Sequence, residues 1–193
     1  ISASAQHLRP VIVEIPDASG KPKRHWLVDG KVRRPAGEAR DLPRTPQEEE
    51  ASLVELERFS KATGRNVVTS PASRHMLDVG ARLSHMDELG IDYQFLYPTI
   101  FSMKLAESHA VQVAMSQGYN RWLADVWSQS EGRLSWACVL PLEEMDEALK
   151  ELRWSVNHGA RGVHMRGLED DKVLHDPYFF PLYEEMSNLD IPV

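Results

Sequence analysis

From Leu77 to the last residue the chain repeats one pattern: an amphipathic stretch, a short polar or glycine step, then a run in which nearly every residue is apolar. Leu77, Ala81, Leu83, Met86 and Leu89 form a helical stripe that closes at Gly90, where a left-handed C-cap is expected. Ile91 to Pro98 follows as a short apolar and aromatic strand. The second repeat predicts a helix from Leu105 to Gln129, with Trp122, Leu123, Val126 and Trp127 on its apolar face, and a strand from Leu134 to Pro141. The third predicts a helix from Met145 to His158, a stop at Gly159 and a strand from Arg161 to Arg166. The fourth opens at Asp176-Pro177, runs to Leu189 and hands over to Asp190-Ile-Pro-Val193. Such alternation predicts a parallel sheet with helical crossovers, whose chemistry belongs at the C-terminal ends of the strands. A closed barrel and an open doubly wound sheet share this unit, and both stay open at this point.

The first 75 residues read differently. Val11 to Pro16 and His25 to Val32 predict two short strands, and Asp29-Gly30 marks a hairpin. Arg33 to Pro46, rich in Pro and charge, reads as an extended loop. Thr45-Pro-Gln-Glu48 has the signature of a helix start, and that helix is expected to run to about Lys61.

Composition narrows the class. The chain has 193 residues, 42% hydrophobic and 26% charged, enough for one core. A complete eightfold barrel takes about 250 residues, so a sequence that opens on Ile1 and stops at Val193 is expected to be a fragment. A net charge of -7 without a basic cluster argues against a nucleic-acid partner. The single Cys138 excludes an internal disulfide and sits in an apolar strand, as a packed thiol does. Without a long apolar run or a signal peptide, a cytoplasmic enzyme with no membrane contact is the expectation.

The order of four segments carries a resemblance: Leu77 through Thr99, Tyr119-Asn-Arg-Trp-Leu-Ala124, Gly132-Arg-Leu134 and Gly159-Ala-Arg-Gly-Val163. Together they resemble the amidohydrolase-related family, in the branch of aminocarboxymuconate-semialdehyde, resorcylate and carboxyvanillate decarboxylases. Trp26-Leu-Val-Asp-Gly30 extends the likeness upstream. The resemblance implies an α/β fold of the (β/α)8 TIM-barrel type, of which this chain would supply roughly strands 2 to 5. Residues 1–75 would be a loop-rich insertion in the same domain, and residues 76–193 the βα units. It also implies one divalent metal, zinc or manganese, held by a His-x-His or Glu-x-His pair on the first strand, a His on the fifth and an Asp on the eighth. The eight histidines include no His-x-His pair, so no metal ligand is assigned within the chain and the ligands are expected outside it.

Candidate site residues come from the strand ends. Tyr97 and Thr99 follow the strand that begins at Ile91, where their hydroxyls can reach a ligand; alternatively Tyr-Pro-Thr only shapes a turn. His164 and Arg166 alternate with Val163 and Met165 and so share a face. His164 is a candidate proton donor or acceptor and Arg166 a candidate carboxylate clamp, the alternative being that Arg166 pairs with Glu169 or Asp170. The resemblance places a carboxylate-gripping Arg near Arg74. His85, His109, His158 and His175 are assigned no chemistry, Asn120 reads as a buried structural amide, and Glu48 to Glu50, Glu143-Glu144 and Asp170-Asp171 read as solvated helix starts.

These readings lead to a metal-dependent enzyme that removes carbon dioxide non-oxidatively from a small aromatic or conjugated carboxylic acid. Metal-assisted hydrolysis of an amide, ester or lactone is the alternative. A third reading is a metal-free binding subunit, with Trp122, Trp127 and Trp154 as aromatic anchors. A homodimer fits the resemblance.

Overall fold

The computed structural model describes residues 3–17, 20, 22–33, 45–63 and 69–193. They fall into two compact units, one comprising Ile1–Arg33 and Tyr93–Val193 and the other Arg34–Asp92, each considered by itself. Most of the extended loop expected over Arg33 to Pro46 lies outside the described residues.

The Arg34–Asp92 unit is helical. Helix α1 spans Pro46–Thr63, two residues beyond the expected end. Thr45 and Glu48 form a reciprocal capping box: Thr45 N–H donates to Glu48 Oε2 at 2.7 Å, and Glu48 N–H donates to Thr45 Oγ1 at 3.3 Å. Helix α2 is the single turn Pro71–Arg74, capped by Ser70. Helix α3, Val79–Glu88, begins under the Asp78 carboxylate, which accepts from Ala81 N–H at 3.0 Å. It ends in a Schellman motif, with Gly90 at φ 67°, Ile91 N–H bonded to Met86 O and Gly90 N–H to Asp87 O.

The other unit holds two sheets and a small ribbon. Strands β1 (Val11–Pro16), β2 (Pro22–Val28) and β3 (Lys31–Arg33) form an antiparallel sheet in that order. The second expected strand is therefore two strands. Asp29 and Gly30, both at positive φ, make the tight turn between β2 and β3. Strands β4 (Gln94–Leu96), β5 (Leu134–Val139) and β6 (Ala160–His164) form the parallel sheet, order β4-β5-β6. Helix α4 (His109–Ser128) connects β4 to β5, and α5 (Met145–Val156) connects β5 to β6. All six residues of β5 are buried, as a central parallel strand requires. After β6 comes a two-stranded ribbon of β7 (Leu168–Glu169) and β8 (Lys172–Val173), then α6 (Phe180–Asn188).

Three expectations need correction. The helix expected from Leu105 starts at His109. The Asp29 carboxylate accepts from both Glu107 and Ser108 N–H at 2.8 Å, so these donors serve the β2–β3 turn and the preceding chain stays extended. Asp170-Asp171 is not a helix start, because Asp170, at φ 58°, lies in the β7–β8 turn. The strand expected at Ile191 makes one ladder bond, Val163 N–H to Pro192 O at 2.9 Å. Pro192 has no N–H with which to extend it.

Two buried contacts fix the helices on the sheet. Gly159, at φ 95°, lies beneath Trp127, whose ring would stand 2.2 Å from an added Cβ. Asn120 is fully buried; its Oδ1 accepts from Val139 N–H at 3.0 Å, and its Nδ2 donates to Val139 O at 2.9 Å and to Glu151 Oε1 at 2.8 Å. Arg121 forks onto the same carboxylate, which is buried at 3% exposure. Asn120→Ala strands the Val139 groups and weakens the Glu151 cage. We expect a loss of about 3 kcal/mol in urea unfolding; an unchanged midpoint would contradict the role assigned to Asn120.

Candidate active site at the ends of the parallel strands

Beyond the C-terminal ends of β5 and β6 lies a cavity of about 50 Å³. Its apolar wall includes Phe101, Met115, Val139 and Leu142, and its polar lining includes Ser116, Lys104, His164, Arg166 and Glu169. The position follows from the topology: parallel strands present their carboxyl ends, and the loops leaving them, on one side.

His164 is the last residue of β6 and is 8% exposed. Its Nε2 lies 3.3 Å from the carbonyl oxygen of Phe101, in the 3-10 turn Thr99–Ser102. Its Nδ1 is shielded from solvent and has no hydrogen-bond partner among the described residues. The Tyr97 ring meets the imidazole edge-on, with centroids 5.2 Å apart at 89°. Tyr97 itself is 59% exposed. Thr99 opens the 3-10 turn, and its side chain is exposed.

Arg166 follows β6 and is engaged within its own loop. Its Nε donates to Glu169 Oε2 at 2.8 Å, Nη2 reaches the same oxygen, and the Arg166 main-chain N–H donates to Glu169 Oε1 at 2.6 Å. This is the alternative Glu169 pairing, and in this arrangement the guanidinium has its counter-ion. Arg74 belongs to the Arg34–Asp92 unit, where it pairs with Glu49. His164, Arg166 and Tyr97 are thus brought together, with Thr99 entering the turn that holds His164.

The local pattern did not reveal the charges at the rim. Lys104 Nζ lies 2.8 Å from Asp170 Oδ1, 2.9 Å from Glu143 Oε1 and 3.0 Å from Glu107 Oε2, tying together the loops after β4, β5 and β6. These carboxylates, foremost Asp170 through the hydrogen bond it accepts, hold the Lys104 ammonium well above its ordinary value. Burial works against ionisation of Glu143, but hydrogen bonds from Lys104 and Gln112 outweigh it and hold the carboxyl below its usual range. The hydrogen bond from Lys104 also lowers Glu107. His109, the first residue of α4, lies between Glu143 Oε2 at 2.8 Å and Glu144 Oε1 at 2.6 Å. Glu144 is the half-exposed N-cap of α5, at the helix start expected, whereas Glu143 is largely enclosed and partnered by Lys104 and His109. The available signal was Lys104 itself, a cation between Met103 and Leu105 in the connection that follows β4.

The described residues do not fit the metal that the resemblance implies: among them no three His, Cys, Asp or Glu side chains are grouped to hold an ion. Among them, too, no helix is long and apolar enough to cross a membrane.

A family model described as Amidohydrolase matches residues 26–193. The chain belongs to the amidohydrolase family. An amidohydrolase structure from Mycobacterium avium subsp. paratuberculosis K-10 is similar at 15% identity over 97% of this chain and 51% of its own, with a TM-score of 0.56. The IDCase of Metarhizium anisopliae, in apo form, is similar at 19% identity over 72% of this chain and 39% of its own, with a TM-score of 0.52. Both likenesses are of fold. A 2,6-dihydroxybenzoate decarboxylase from Rhizobium aligns at 26% identity over 57% of this chain and 36% of its own, with a TM-score of 0.47. The chain thus spans from about a third to about half of these structures' lengths. No curated protein matches it.

Lys104 sets the pH behaviour of the rim. Its raised value means that its contribution is complete below about 10.5 and fades as pH rises through the folded-state value. The lowered values of Glu107 and Glu143 mean that theirs is complete above about 4.5 and fades as pH falls through the folded-state values. Lys104→Met should cost about 1 kcal/mol at neutral pH. In parallel thermal melts, its deficit should shrink both below pH 4.5 and above pH 10.5; a deficit independent of pH would exclude the ionic account.

Proposed function

We propose that this chain supplies part of the active site of an amidohydrolase-family enzyme acting on a small carboxylic acid, with non-oxidative decarboxylation as the reaction. In this reading β4, β5 and β6 are successive strands of a (β/α)8 barrel, and the cavity at their carboxyl ends borders the substrate. The observation that carries it is His164: a buried imidazole at a strand end, beside a cavity, with a ring nitrogen that no described group satisfies. Buried polar atoms are normally paired, so an orphan in a cleft is where a reacting group belongs.

Decarboxylation fits the apolar part of the wall, Phe101, Met115, Val139 and Leu142, where a carboxylate would be poorly solvated and departure of neutral carbon dioxide would relieve that cost; the polar part, Ser116, Lys104, Arg166 and Glu169, suits hydrolysis as well. His164 would take the proton of the carboxylic acid and deliver it to the carbon as the bond to the carboxylate breaks, so that carbon dioxide leaves and a C–H bond takes its place. Arg166, partnered by Glu169, would orient the loop after β6, with substrate contact requiring it to leave Glu169. Tyr97 and Thr99 would border the opening. Arg74 remains a proposed carboxylate contact, one that would compete with Glu49. A divalent metal, zinc or manganese, would draw its ligands from outside the described residues, and the roles of His164 and Arg166 do not pass through it.

The test is release of carbon dioxide from small aromatic carboxylic acids by the product of the complete gene, with product analysis to separate decarboxylation from hydrolysis of amide, ester and lactone substrates. His164→Gln should lower kcat by about 10²–10⁴-fold with the fold retained by circular dichroism. Full turnover in that variant would remove His164 from the chemistry, and an inert native protein across both substrate sets would sink the enzymatic reading.

A further inference from the structure

We propose that Phe101 is a positioning residue for His164: its main-chain carbonyl fixes the imidazole as the Nε2–H tautomer and leaves Nδ1 as the proton-accepting atom of the site. The proposal deepens the functional reading above and rests on it for its catalytic meaning, although its structural content stands apart.

A carbonyl oxygen can only accept, so the hydrogen in the 3.3 Å contact between His164 and Phe101 belongs to Nε2. The remaining nitrogen is buried without a partner among the described residues. A hydrogen there would be a stranded donor, which folded proteins avoid more strictly than an under-used acceptor. Nδ1 therefore keeps a lone pair that no described group occupies, on a ring that belongs to the lining of the cavity of about 50 Å³.

The carbonyl is itself held in place. Phe101 N–H donates to Pro98 O at 3.1 Å within the 3-10 turn. The Phe101 ring packs on Tyr119 of α4, with centroids 5.1 Å apart, and Tyr119 packs on Trp122 one helical turn further along, at 6.1 Å. Burial pushes the Tyr119 hydroxyl up, in keeping with an aromatic body enclosed by its neighbours. Trp122 reaches the surface at 45% exposure. A three-ring ladder thus runs from solvent to the atom that sets the tautomer. On the other side, the edge-on Tyr97 ring limits rotation of the imidazole. The charged groups lining the same cavity, Lys104 and Arg166, each have carboxylate partners.

Long-range proton–nitrogen correlation NMR on the full chain labelled with ¹⁵N-histidine reads the tautomer directly. The His164 signals are those absent from His164→Gln. We expect an unprotonated Nδ1 and a protonated Nε2 in a single population. Tyr119→Leu, which removes the middle ring, should convert this to a mixture of tautomers, whereas Tyr119→Phe should preserve it. If Tyr119→Leu does not fold, Trp122→Leu at the exposed end serves instead, with the same direction of change expected. A native protein with hydrogen on Nδ1 overturns the proposal. A single unchanged tautomer in the folded ladder variant overturns the positioning role. The expected tautomer together with full turnover in His164→Gln would leave this inference standing and remove the functional reading.

Discussion

The end of β5 has a strand beside it on one side only, and a buried amide stands in on the other. Pairing with β4 stops at Leu96 opposite Trp136, whereas pairing with β6 continues to Val139 opposite His164. Asn120 supplies Val139 with the acceptor and the donor that a longer β4 would have supplied. The same amide donates to Glu151, a carboxylate whose burial is costly unless its oxygens are satisfied. Arg121 completes that cage and also lies over the Trp154 ring, its guanidinium carbon 3.4 Å from the centroid. One side chain thereby fixes α4 and α5 against the central strand. It also fixes Val139, Leu140 and Leu142, which pass directly into the cavity wall.

Around that apolar wall the rim is organised by charge. Loops at strand ends are held by few main-chain bonds, so their geometry depends on long-range side-chain contacts. Lys104 forms ion pairs with carboxylates on three connections, and His109 lies between Glu143 and Glu144. The apolar surface sets what the cavity can hold, and the ionic rim sets how its walls are spaced.

Much of the architecture was legible in the sequence because it is encoded locally. Helical periodicity gave α3, α5 and α6 to within a few residues, the continuous apolar run gave β5, and the Thr45 to Glu48 spacing gave the start of α1. The order of the family motifs pointed to the amidohydrolase family, to which the chain belongs. What escaped was set by partners far along the chain. The late start of α4 depends on Asp29, nearly eighty positions away. The roles of Lys104 and Glu143 depend on loops that sequence leaves apart. Alternation along β6 singled out His164, but a main-chain carbonyl as its partner leaves no trace in residue identity.

Cys138 gives the molecule a built-in reporter. It is the single thiol of the chain, it lies fully buried one residue before the end of the central strand, and burial pushes its ionisation up to about 12. The reactive form of cysteine is the thiolate, and in this strand it is both scarce and screened from reagents. A thiol reagent must therefore wait until β5 is exposed, and the labelling rate counts openings of this strand and not collisions at the surface. The residue that takes no part in the proposed chemistry is thus placed to time the breathing of the sheet beneath it.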